Sequence, residues 1–122
     1  PDPRLRELHE RVREAQAAGV AAATAGAEVG AVDRACRGPL TAAGYGEQFV
    51  HPTGHGVGLE IHEWPTVAAD GRVVLQAGMT VTVEPGVYLA GTGGVRIEDT
   101  VVISAEGPPE VLTRTPRDLL VL

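Results

Sequence analysis

The chain has 122 residues and a formal charge of −6, with ten arginines and no lysine. That length suits one domain around one modest core, and the acidic balance excludes the basic stripe expected of a nucleic-acid partner. A lone cysteine, Cys36, excludes an internal disulfide and fits a reducing cytoplasm, and no apolar run approaches the ~18 residues of a membrane span.

The first residue is Pro rather than Met, which points to a piece of something longer. Asp2-Pro3 reads as a helix N-cap followed by proline at the first helical position. Leu5, Leu8, Val12 and Ala15 then recur at helical spacing, with Glu7 and Arg11 paired on the wet side. This predicts a helix from residue 3 to Ala18 or beyond, stopped by Gly26. A second helix is expected from Glu28 to Arg37, with Gly38-Pro39 kinking or ending it before Leu40–Ala43. Phe49-Val50-His51 reads as a short strand.

The second half is β-rich. In Met79–Glu84 the residues Met79, Val81 and Val83 share one face, and Thr80, Thr82 and Glu84 the other. Val87–Leu89 and Val95–Ile103 flank the turn-rich Ala90–Gly94, with Val95, Ile97, Val101 and Ile103 inward and Arg96, Glu98 and Thr100 outward. A loop over 104–110, a short strand at Val111-Leu112 and an apolar end, Leu119–Leu122, follow.

Three of the four histidines fall within HPTGHGVGLEIHE, residues 51–63. His51 and His55 have i, i+4 spacing, but Pro52 and Gly54 between them argue against a helix, and the glutamate a helical zinc motif places directly after its first histidine is missing. The histidines therefore sit on extended, glycine-rich chain. With the turn centred between Gly91 and Thr92, Glu84 falls opposite Asp99, or opposite Glu98 given a one-residue bulge near Pro85-Gly86. Directly opposed side chains have Cβ atoms about 5 Å apart, and two carboxylates that close repel unless a proton or cation lies between them. With His55 they would form a mixed set suited to Zn, Mn, Fe or Co. On spacing alone, a metal site and an ordinary solvated acidic sheet face stay equally open.

The segments HPTGHGVGLEIHEWP, LQAGMTVTVEPGVY and GGVRIED together resemble the catalytic half of the pita-bread metallopeptidases, which include methionine aminopeptidases, aminopeptidase P and prolidases. EPGVY with GGVRIED resembles the Xaa-Pro-cleaving branch. The resemblance implies an α+β fold: the second half of a pita-bread fold, two N-terminal helices followed by a curved, mainly antiparallel sheet, with residues 1–122 forming the C-terminal part of a catalytic domain. It implies that His55, Glu84 and Glu98 ligate metal, Glu98 bridging two ions, and that Glu84 also shuttles a proton. His62 resembles the histidine that stabilises the tetrahedral intermediate, and His51 one lining the proline-side pocket. Arg96 is similar to an arginine near the bridging or a substrate carboxylate, and it could equally be the counter-charge for Glu84 and Glu98. Two divalent metals per complete site are implied, manganese first, with Co, Zn or Fe as alternatives, and the reaction is hydrolysis of Xaa-Pro bonds in a cytoplasmic enzyme.

The family's dinuclear site also takes two aspartates from a strand pair upstream. Residues 1–34 contain no such pattern, and Asp2 and Asp33 lie in the wrong contexts. The chain alone is therefore expected to bind metal weakly, to be essentially inactive, and to expose apolar surface that the missing half or a second copy would cover. A member of the fold that binds peptides or proteins without catalysis is the alternative, although such relatives lose ligands and every ligand expected here is present. His9 is expected on the surface and Cys36 in the core, while Trp64 fits either a substrate rim or packing.

Overall fold

The computed structural model describes residues 2–122. The order is α1 (Pro3–Ala22), α2 (Val29–Ala42), a 3₁₀ turn (Gly46–Gln48), β1 (Gly54–Gly56), β2 (Glu63–Val67), β3 (Thr80–Val83), β4 (Gly86–Leu89), β5 (Gly93–Arg96), β6 (Asp99–Val102) and β7 (Glu110–Val111). The strands form an antiparallel sheet in the order β2-β1-β3-β6-β7 and a separate hairpin, β4-β5.

The Asp2 carboxylate accepts the Arg4 amide at 2.9 Å, capping α1 as the Asp-Pro pair predicts. Leu8, Val12 and Ala15 are fully buried, and burying a Leu or Val side chain stabilises the fold by roughly 1.5–3 kcal/mol. His9 is buried rather than on the surface, only 7% exposed beside Glu10. The second helix runs through Gly38-Pro39 to Ala42 without ending there. Val32, Cys36 and Leu40 are all fully buried, so packing on both sides of the proline holds the helix across its missing amide.

Phe49–His51 is not a strand. The carbonyls of Phe49 and His51 accept from the Arg37 guanidinium at 2.8 and 3.0 Å rather than from a neighbouring strand. In β3, Val81 and Val83 are buried as the alternation predicts. Thr82 is buried too, because β1 lies across it and the His55 amide donates to its hydroxyl at 3.0 Å.

The turn after β4 is Ala90-Gly91-Thr92, closed by Leu89 opposite Gly93, so its centre is Gly91 rather than the bond after it. Gly91 and Gly93 have φ of +72° and +141°, which glycine adopts readily. Val83 lies opposite Asp99 and Gly86 opposite Arg96, so the same one-to-one register runs through both ladders and sets Glu84 opposite Glu98 with no bulge. Asp99 instead occupies the buried face, where it accepts from Gln16 Nε2 at 2.5 Å and Arg117 Nε at 2.6 Å. No helix among the described residues is long and apolar enough to cross a membrane.

Candidate metal centre

The pleat of β3 directs Thr80, Thr82 and Glu84 away from the helices, and β1 brings His55 alongside them. The Glu84 amide donates to the Thr53 carbonyl at 2.7 Å, which ties the residue just before β1 to the end of β3. Across the gap between the ladders stands Glu98. One ligand atom each from His55, Glu84 and Glu98 lies within 4.8 Å of the others.

His55 Nδ1 donates to the Gly56 carbonyl at 2.8 Å, which leaves Nε2 aimed at Glu84 Oε1, 3.2 Å away. In the neutral ring this opposes two lone pairs, so a cation or proton fits between them; the nitrogen and carboxylate oxygens are a donor set that divalent first-row metals accept. The Thr82 hydroxyl donates to Glu84 Oε1 at 2.9 Å and fixes its rotamer. Arg96 Nε lies 4.0 Å from both Glu84 Oε2 and Glu98 Oε2, a counter-charge shared by the two carboxylates.

His62 reaches the centre from the loop between β1 and β2, its ring edge-on to His55 with centroids 4.6 Å apart. The Glu63 carboxylate holds that loop by accepting the Leu59 and Glu60 amides at 2.7 and 3.0 Å. His51 lies further along the same cavity of about 590 Å³, which His55, His62, Trp64, Glu84 and Arg96 also line. His51 Nδ1 donates to the Pro52 carbonyl at 2.7 Å, and its Nε2 accepts from the Tyr88 hydroxyl at 2.9 Å. Trp64 lines the cavity and is exposed, as are Leu59 and Ile61 on the loop before it. Every site residue named from the sequence thus falls in or beside one cavity, with His55, Glu84, Glu98 and Arg96 converging and His51 set apart.

Thr82 and Tyr88 were not among them. Thr82 shares a face with Glu84, so the alternation in TVTVE carries its signal. The partnership of Tyr88 with His51 spans 37 positions and leaves no local pattern. Cys36 is buried as expected; burial, reinforced by the nearby Asp33 charge, pushes its thiol up to about 12, far from a reactive thiolate.

Comparison with known proteins decides the family. The family model described as metallopeptidase family M24 matches residues 1–105. The chain belongs to that family. It is 48% identical over 120 residues to the Xaa-Pro dipeptidase of Pyrococcus furiosus, covering 98% of this chain and 34% of the relative. The solved Xaa-Pro dipeptidase from Bacillus anthracis superposes with a TM-score of 0.96 at 48% identity, covering 100% of this chain and 34% of that one. The X-Pro aminopeptidase from Thermotoga maritima gives 0.95 at 40% identity, over 100% and 34% of the two chains. The M24 chain thus spans about a third of the length of these relatives, and its α+β architecture, two helices and then a mainly antiparallel sheet, is part of the pita-bread fold.

Proposed function

We propose that the protein containing this chain is a divalent-metal-dependent peptidase that cleaves Xaa-Pro bonds, and that residues 1–122 are the C-terminal part of its catalytic domain. The observation that carries the reading is the convergence of His55, Glu84 and Glu98 beside a cavity of about 590 Å³, room for a short peptide. The names of its relatives, Xaa-Pro dipeptidase and X-Pro aminopeptidase, support the substrate class. His55 Nε2 and the Glu84 and Glu98 carboxylates would hold the metal, manganese by preference, with two further aspartates supplied from upstream. When bound, the metal pair lowers the pKa of a water nucleophile and polarises the scissile carbonyl.

The chain's own residues do the rest. Glu84, anchored through Oε1 by Thr82, holds and returns a proton at its carboxylate. His62, on the loop beside His55, donates a hydrogen bond to the oxygen that gains charge during attack. His51, oriented by Pro52 and Tyr88, lines the pocket for the proline side of the substrate. Arg96, 4.0 Å from each of the two glutamates, offers them a shared positive charge and is within reach of a substrate carboxylate. A cytoplasmic setting belongs to this reading, supported by the lone cysteine.

The test is manganese-dependent release of proline from an Xaa-Pro dipeptide, with this chain run beside a version extended upstream through the expected aspartates. Activity only in the extended protein is the expected result. A folded extended protein that binds the peptide without cleaving it would replace the peptidase with a binding module. Turnover by the short chain would mean that three ligands suffice.

A further inference from the structure

Below His51 lies a partly buried ionic group that the peptidase reading leaves without a task. Asp33 and Arg37 stand one turn apart on α2, and Asp33 is fully buried. Arg37 Nε and Nη2 donate to the two Asp33 oxygens at 2.8 and 3.0 Å, a bidentate pair that holds the guanidinium firmly charged. The same guanidinium donates to the carbonyls of Phe49 and His51 and lies over the Phe49 ring, 4.0 Å from its centroid. Asp33 Oδ1 accepts the Thr53 hydroxyl at 2.8 Å and the Thr53 amide at 3.3 Å. One helical turn therefore grips residues 49, 51 and 53, alternate positions along an extended segment that has no strand partner at Phe49 and His51.

The grip continues into the metal centre. The Thr53 carbonyl accepts the Glu84 amide, and two residues further on, His55 is held through its own amide by Thr82. With Asp33 buried and Arg37 half-buried, desolvation offsets much of the pair's attraction, but the bidentate contact fixes geometry well. We propose that Asp33, Arg37 and Thr53 form a positioning clamp that sets the backbone of His51 and Glu84 as one unit, so that the substrate-side histidine and the ligand glutamate keep a fixed spacing. In its consequence for catalysis, though not in its geometry, this rests on the reading of Glu84 as a ligand. Arginine is required because lysine cannot bond a carboxylate bidentately and reach two carbonyls together.

The test uses the full-length protein and amide hydrogen exchange followed by NMR, for Thr53→Val, Thr53→Ser and Arg37→Lys. The expected result is that the Glu84 amide exchanges at least about tenfold faster in Thr53→Val and Arg37→Lys. Thr53→Ser, which keeps the hydroxyl, restores the wild-type rate, and the amides of β6 change little. Glu84 exchange at the wild-type rate in Thr53→Val and Arg37→Lys would overturn the clamp. So would an acceleration spread evenly over the sheet, which is the signature of simple destabilisation. Manganese titration of the same proteins keeps the two claims apart: exchange decides the clamp, and uptake by the wild type decides the metal reading. With both correct, Thr53→Val weakens manganese binding about 10–100-fold, the usual effect of removing an outer support.

Discussion

Glu84→Gln in the full-length protein is expected to lower turnover of an Xaa-Pro dipeptide by roughly 10²–10⁴-fold while leaving the protein folded. The amide is isosteric, so the strand and its packing on Val83 and Val81 are retained. Its chemistry is wrong at both ends. With the amide oxygen in the place of Oε1, the Thr82 bond survives, but the NH₂ then faces Arg96, donor against donor. Turned over, the NH₂ donates to His55 Nε2, consumes the lone pair a metal would use, and loses the Thr82 donation. Either rotamer removes one negative charge from a set that gathers a cation. Removing it also relieves repulsion with Glu98, so the melting temperature is expected to stay level or rise. Turnover and thermal melts measured together check this: lost activity with an intact fold supports a functional carboxylate, whereas full activity would remove Glu84 from the reaction.

Gly54→Ala is expected to destabilise the protein by about 3 kcal/mol or more, near the upper end for overpacking. A Cβ at this position would overlap the Thr82 carbonyl oxygen, which is backbone of β3 and cannot swing aside as a side chain would. Separating β1 from β3 would also move His55 away from Thr82 and Glu84, so activity falls with stability. Gly38→Ala is expected to cost far less. Apart from its chain neighbours nothing lies within 4 Å of a Cβ built at Gly38, and the roughly 0.5–1 kcal/mol by which a helix favours alanine over glycine is offset by crowding of the new Cβ against the Pro39 ring. Thermal denaturation of the two variants separates a glycine needed for close backbone approach from one that is not.

Much of this was legible because the signals are local. Alternation in MTVTVE gave the buried face of β3, and the spacing of Leu8, Val12 and Ala15 gave that of α1. The three histidine- and carboxylate-bearing segments carried the family. The register of the turn was misplaced by one residue, since the placement of a centre within Ala90–Gly94 depends on which glycines take positive φ, and Gly91, Gly93 and Gly94 look alike in sequence. That slip put Asp99 across from Glu84, where the structure has Glu98. The strand expected at Phe49–His51 failed for a related reason. Its carbonyls are claimed by an arginine on α2, a partner that no period-2 pattern can announce. The helix break expected at Gly38-Pro39 was overruled by tertiary packing of Leu40 and Cys36. Asp33 was set aside as a ligand, and its role beneath His51 depends on contacts 20 positions away in sequence.

The central claim is that His55, Glu84 and Glu98 close around one cation. The most direct measurement is a crystal structure of the full-length protein grown with manganese, with anomalous data collected near the manganese edge. The account predicts an anomalous peak in contact with His55 Nε2 and with one oxygen each of Glu84 and Glu98, at roughly 2.0–2.3 Å as metal–ligand bonds require. Manganese bound elsewhere, with His55 still facing Glu84 across an empty gap, would contradict it.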